Sequence, residues 1–183
     1  MYFAPDTILL KDASPAILRS PDPERDAADL VQYLHDTAAD TPFVLRTPAE
    51  ITMTVEGEER FLEMVVDSDD DCMILCEVDG RIAGNCHLKF NRRVKTLHRC
   101  EVAIALRKEF WGQGIGTAMF EAMERIARQR EGVTVMELEF IEGNARARGL
   151  YEKMGFRIVG WHPDAIRMED GTMCALYLMQ KNL

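Results

Sequence analysis

The sequence predicts one mixed α/β domain over residues 1–183, an N-terminal extension (1–14) followed by a core (15–183). Three observations predict it. Segments with the two-residue period of strands alternate along the chain with segments of helical period. Asp79-Gly80 separates two strand-like runs, "CMILCEV" and "RIAGNCHLKF", a strong hairpin signal. The glycine-rich stretch "WGQGIG" (111–116) joins an apolar strand to an amphipathic helix. The implied architecture is a central sheet with antiparallel and parallel parts, flanked by helices.

In chain order, "PAILRS" (15–20) reads as the first strand. Asp22-Pro23 opens a helix whose apolar positions Ala27, Leu30, Val31 and Leu34 share one face. "TPAE" (47–50) has a capping Thr, a Pro at the first helical position and a Glu at the third, so it starts a short helix. A second helix follows around 58–67, and "DSDDD" (67–71) is a solvated loop without EF-hand spacing. After the hairpin comes "HRCEVAIAL" (98–106), nearly all apolar from Val102, as expected of a strand covered on both faces. Ile115, Met119, Met123, Ile126 and Ala127 then form a helical stripe, supported by Glu121–Arg125 and Glu124–Arg128 spacings. "VTVMELEF" (133–140) is a strand, and 144–156 is a helix capped by Asn144 and stopped by Gly155. Two last strands, about 157–161 and 173–179, flank a loop containing Asp170-Gly171.

Composition narrows the function classes. The longest apolar runs, such as "CMILC" and "VAIAL", are far shorter than the ~18 residues of a membrane span. The N-terminus lacks a basic region ahead of a long apolar stretch, so no signal peptide is expected. Five scattered cysteines (72, 76, 86, 100, 174) read as reduced core residues of a cytoplasmic protein, with no metal site. A net charge of −9 argues against nucleic acid as a partner and mildly favours a cationic one.

The glycines at 112, 114 and 116 follow a buried strand and open a helix. Without side chains, their backbone N–H groups can turn inward together and a ligand can approach closely. The helix N-terminus adds unpaired N–H groups and partial positive charge, a suitable site for a phosphate or pyrophosphate. The alternative is a tight turn with no ligand, but three glycines in five residues exceed what such a turn needs. Gly116 is followed by Thr117 with no lysine, so this is not a Walker loop. The third glycine comes one residue early for a dinucleotide fingerprint, although Glu137 and Glu139 lie at a suitable distance for a ribose contact.

Together with "NARARGLYEKMGF" (144–156), the pattern resembles the GNAT N-acetyltransferase family. Its first signature, Q/R-x-x-G-x-G/A, corresponds to W-G-Q-G-I-G, with Trp111 where Gln or Arg is usual. Its second, Asn then Leu-Tyr-x-x-x-Gly-Phe, corresponds to Asn144, Leu150-Tyr151 and Gly155-Phe156. The resemblance implies the GNAT fold, acetyl-CoA as co-substrate and a small-molecule or peptide amine as acceptor. Dimerisation is common in that family, and a homodimer is open to this chain. A non-catalytic acyl-CoA-binding module on the same fold is the alternative.

The resemblance also implies roles for residues. Backbone groups of Gly112, Gln113, Gly114, Ile115, Gly116 and Thr117 would hold the pyrophosphate. Ile104, Ala105 and Leu106 would pair with the pantetheine arm as with a neighbouring strand, and Arg107 or Lys108 would add charge or simply end the strand. Tyr151 would be the general acid; by periodicity alone it belongs to a core stripe with Ala147, Leu150 and Met154. Asn144 would touch the cofactor, cap its helix, or both. Glu139 is the first candidate for the base, Glu101 the second, and a water chain could replace either. His87, His98 and His162 read as structural. The acidic residues Glu50, Glu56, Glu58 and Glu59 would suit a polyamine or form a solvated helix face.

Overall fold

A computed structural model describes residues 1–183. Eight strands form one mixed sheet: β1 (Asp6–Leu9), β2 (Pro15–Arg19), β3 (Asp71–Val78), β4 (Arg81–Phe90), β5 (Arg99–Leu106), β6 (Val135–Ile141), β7 (Arg157–Arg167) and β8 (Met173–Asn182). Four α-helices accompany it: α1 (Pro23–Asp40), α2 (Val55–Val66), α3 (Ile115–Gln129) and α4 (Ala145–Lys153). The strand order is β1-β2-β3-β4-β5-β6-β8-β7. β1–β2, β2–β3, β3–β4, β6–β8 and β7–β8 pair antiparallel and β5–β6 parallel, so the expected mixture of parallel and antiparallel parts is present. The chain divides into two compact units, residues 1–89 with 104–119, and residues 90–103 with 120–183.

In the first unit, the N-terminal residues are more than an extension: β1 forms a hairpin with β2, and Lys11 N–H in its turn donates to the Gln113 carbonyl at 3.1 Å. No alternating pattern announced this strand, because β1 is short and its side chains are half-buried or exposed. Asp22 caps α1, and Asp79-Gly80 makes the two-residue turn of the β3–β4 hairpin, both residues with positive φ. The 47–50 segment keeps its capping box but closes as one 3-10 turn, Pro48–Glu50, and α2 starts earlier than expected, with Thr54 as its cap. The core of this unit gathers Leu30 and Tyr33 of α1, Leu62 and Val65 of α2, and Met73, Leu75 and Ile82 of the hairpin.

An ion-pair network lies beneath the start of α1. Arg19 makes two bonds to Asp26, at 2.6 and 2.8 Å, and a third to Glu77 at 2.8 Å; Arg25 also reaches Glu77, at 2.5 Å. Arg19 and Asp26 are both buried, so this is a desolvated pair whose bonds offset the cost of burying it.

In the second unit, α4 ends in a Schellman motif. Phe156 N–H bonds to the Tyr151 carbonyl (2.9 Å) and Gly155 N–H to that of Glu152 (3.0 Å), with Gly155 at φ 88°. The last two strands run further than expected, to Arg167 and Asn182, and β7 ends the strand order. Residues Phe120 to Gln129 of α3 carry buried Phe120, Ala122, Met123 and Ala127, while Ile126 is only half-buried.

Candidate active site

In the first unit, β5 delivers the chain into the glycine loop. Gly112 (φ 80°) and Gly114 (φ 99°) are left-handed, a conformation that other residues adopt at a cost of about 1–2 kcal/mol. The Gly114 carbonyl accepts the N–H of Ala118 (3.2 Å), which makes Gly114 the cap residue of α3 and leaves that helix without a capping side chain. A Cβ built on either left-handed glycine meets nothing within 4 Å, so backbone conformation, not crowding, requires glycine there. Gly116 lies inside the first helical turn. This fits a loop that presents backbone to an anion.

The strand end before the loop is held by side chains. Tyr33 Oη donates to the Ala105 carbonyl (2.7 Å) and accepts the Asn85 N–H (3.3 Å), bridging two strands' backbones. Trp111 Nε1 donates to the Leu106 carbonyl at 2.9 Å. The unusual Trp of the first signature therefore braces the strand end. Arg107 is 3% exposed, and its guanidinium is shared between Asp29 (2.9 Å) and Asp36 (3.0 Å) of α1 over the Tyr33 ring. It is thus an internal tie of this unit and supplies no charge to a phosphate. Of the apolar face expected for α1, Ala27 and Leu30 are in the core and Leu34 packs against it, but Tyr33 was not expected there. Tyr33 and Thr37 follow Leu30 at helical spacing and are buried, while Val31 and Leu34 are half-buried.

In the second unit, Asn144 Oδ1 accepts the N–H of Ala147 (3.2 Å) and so caps α4. Two turns on from Asn144, Tyr151 lies edge-on against Phe120 (5.5 Å between ring centroids) and Phe140 (6.0 Å), with Phe156 at 6.4 Å. Burial alone pushes its hydroxyl up to about 12. The Tyr-x-x-x-Gly-Phe signature thus has a local physical meaning: the Schellman turn bonds Phe156 to the residue that carries the phenol.

The candidate bases lie on strands. Glu101 stands opposite Glu137 in the β5–β6 register, and Glu139 is two residues further along the same side of β6. Glu101 and Glu139 are exposed, whereas Glu137 is buried and accepts from Arg99 Nε (2.9 Å). Glu137 is therefore a structural partner of Arg99. The β5–β6 register comprises three pairs, ending at Glu101–Glu137.

Known proteins share this fold. The chain is 28% identical over 96 residues to MJ1530, an uncharacterised N-acetyltransferase of Methanocaldococcus jannaschii; the match takes in 48% of this chain and 53% of that one. The chain thus spans about half the length of that curated relative. A GNAT-family acetyltransferase from Streptococcus pneumoniae superposes with a TM-score of 0.85 at 28% identity, covering 92% of this chain and 99% of the other. Salmonella typhimurium yncA, solved with its cofactor acetyl-CoA, shares the fold (TM-score 0.73, 18% identity, 91% and 92% covered). The description "Acetyltransferase (GNAT) family" matches residues 30–156, and with that span the chain belongs to the GNAT acetyltransferase family.

Proposed function

We propose that this protein transfers the acetyl group of acetyl-CoA to a primary amine by direct attack in a ternary complex. The observation that carries this reading is the left-handed pair Gly112 and Gly114 opening a helix without a capping side chain, within a chain of this family. That yncA holds acetyl-CoA on the same fold supports the choice of donor. The five free cysteines favour a reducing, cytoplasmic setting. A net charge of −9 favours an amine over a nucleic acid as partner.

Backbone N–H groups from Gly112 through Gln113, Gly114, Ile115 and Gly116 to Thr117 would hold the pyrophosphate. Of the strand residues, Ala105 and Leu106 already engage their carbonyls with Tyr33 and Trp111, so Ile104 takes the larger share of pairing with the pantetheine amides. The donor supplies a thioester carbonyl activated for attack. A strand N–H positioned at its oxygen stabilises the negative charge that develops there.

As the acceptor nitrogen bonds to that carbon and the carbon–sulfur bond breaks, two protons must move. Tyr151 gives its phenolic proton to the departing sulfur; a phenol is protonated at neutral pH, and burial pushes its pKa further up. Glu139, or failing it Glu101 or a water chain, takes the proton that the amine loses. Asn144 holds the start of α4, and with it the helix that carries Tyr151.

The test is thiol release from acetyl-CoA across a panel of primary amines. Amine-dependent release with N-acetylated product supports the reading. A protein that binds acetyl-CoA but releases no thiol with any amine would instead be the non-catalytic binding module.

A further inference from the structure

Four glutamates precede or occupy the start of α2, and the structure separates one from the rest. Glu50 and Glu56 are exposed and serve caps: Glu50 accepts from Thr47 N–H and Oγ1 at 2.8 and 3.0 Å, and Glu56 bonds within the turn begun by Thr54. Glu59 is half-buried. Glu58 is different. It is 4% exposed and shares the inner face of α2 with Leu62 and Val65. Leu62 belongs to the core that includes Tyr33, against which Ala105 packs.

No hydrogen bond or ion pair from the protein reaches the Glu58 carboxylate. Burial pushes its pKa up, and the exposed Arg46 draws it part of the way back. Two fully sealed side-chain nitrogens lack a hydrogen bond, His87 Nε2, which has Asp71 Oδ1 at 3.3 Å, and Arg107 Nε; the Glu58 oxygens are not sealed in this way and keep some contact with solvent. A buried carboxylate with no partner costs stability. An opening at its oxygens gives it something to meet.

We infer that Glu58 is a recognition site for a positive charge on the acceptor, so that the substrates of this enzyme are amines bearing a second, non-reacting cationic group. This rests on the transferase reading for the word acceptor, but the cation site itself does not. The charge at Glu58 is not that of the reacting nitrogen. A nucleophilic amine must be neutral, and pairing with a buried carboxylate would hold it protonated. A diamine or similar cation satisfies both demands.

The experiment compares the melting temperatures of the wild type, Glu58→Gln and Glu59→Gln with putrescine and with n-butylamine, each with and without acetyl-CoA. The expected result is a rise of several degrees with putrescine but not butylamine, kept in Glu59→Gln and lost in Glu58→Gln. Glu58→Gln without ligand should melt no lower than the wild type, because no protein partner is lost. With putrescine as acceptor, its kcat/KM should fall at least tenfold, chiefly through KM. A putrescine shift that survives in Glu58→Gln, equal shifts with the two amines, or a clearly lower melt of unliganded Glu58→Gln would overturn the inference. Failure of acetyl-CoA to shift any of the proteins would count against the transferase reading and leave the cation result standing.

Discussion

Tyr151 is packed as a core aromatic, and the proposed mechanism asks the same residue for a proton. Its ring is held by Phe120, Phe140 and Phe156, and its carbonyl by the Schellman turn at Gly155. Periodicity saw only the packing; the role as acid came from resemblance, because a buried phenol in a core stripe leaves no trace in spacing. Tyr151→Phe keeps the ring and removes the proton. It should lower turnover by about a hundredfold or more while acetyl-CoA raises the melting temperature as in the wild type. Unchanged turnover would take Tyr151 out of the acid role. Gly155→Ala tests the cap, since φ 88° there strains any other residue by about 1–2 kcal/mol. Its unfolding midpoint in urea should fall by a matching amount, and an unchanged midpoint would mean that the cap holds nothing.

At the scale of elements, the hairpin about Asp79-Gly80, the glycine loop and the Asn144-capped helix were legible because turn and cap chemistry is local. Ties between distant elements were not. Arg107 read as a strand-end charge, and its engagement by Asp29 and Asp36 depends on where α1 packs. Glu137 and Glu139 looked alike in sequence, yet Arg99 claims only the first of them. Glu58 differed from its acidic neighbours only once α2 had a buried face. The Arg19–Asp26–Glu77 network was equally invisible, joining β2, α1 and β3. Arg19→Met leaves buried Asp26 with only the exposed Arg25, at 3.8 Å, as a cation, and the loss should be about 3 kcal/mol, read as a lower urea midpoint at unchanged slope. A loss under about 1 kcal/mol would show that the network adds little.

For the whole molecule, pH and ligand are the two levers on stability. Burial lowers the pKa of the His87 imidazole, against the pull of Asp71, whose Oδ1 is 3.3 Å from Nε2. The unfolded chain therefore binds this proton more tightly. The contribution is present above the ordinary histidine value of about 6.5 and is lost as pH falls through the lower folded value. His87→Gln should flatten the fall in melting temperature over that range; an unchanged slope would assign it to other groups. The central claim is that the Gly112–Thr117 loop holds acetyl-CoA. Its most direct test is the melting temperature of the wild type and Gly114→Ala with acetyl-CoA, NAD or ATP. At a hundred times the dissociation constant, bound acetyl-CoA should add about 2.7 kcal/mol, or roughly 5–10 °C for a chain of this size. The wild type should show that shift with acetyl-CoA alone, and Gly114→Ala should lose it. No shift with acetyl-CoA, or an equal shift with NAD or ATP, would contradict the claim.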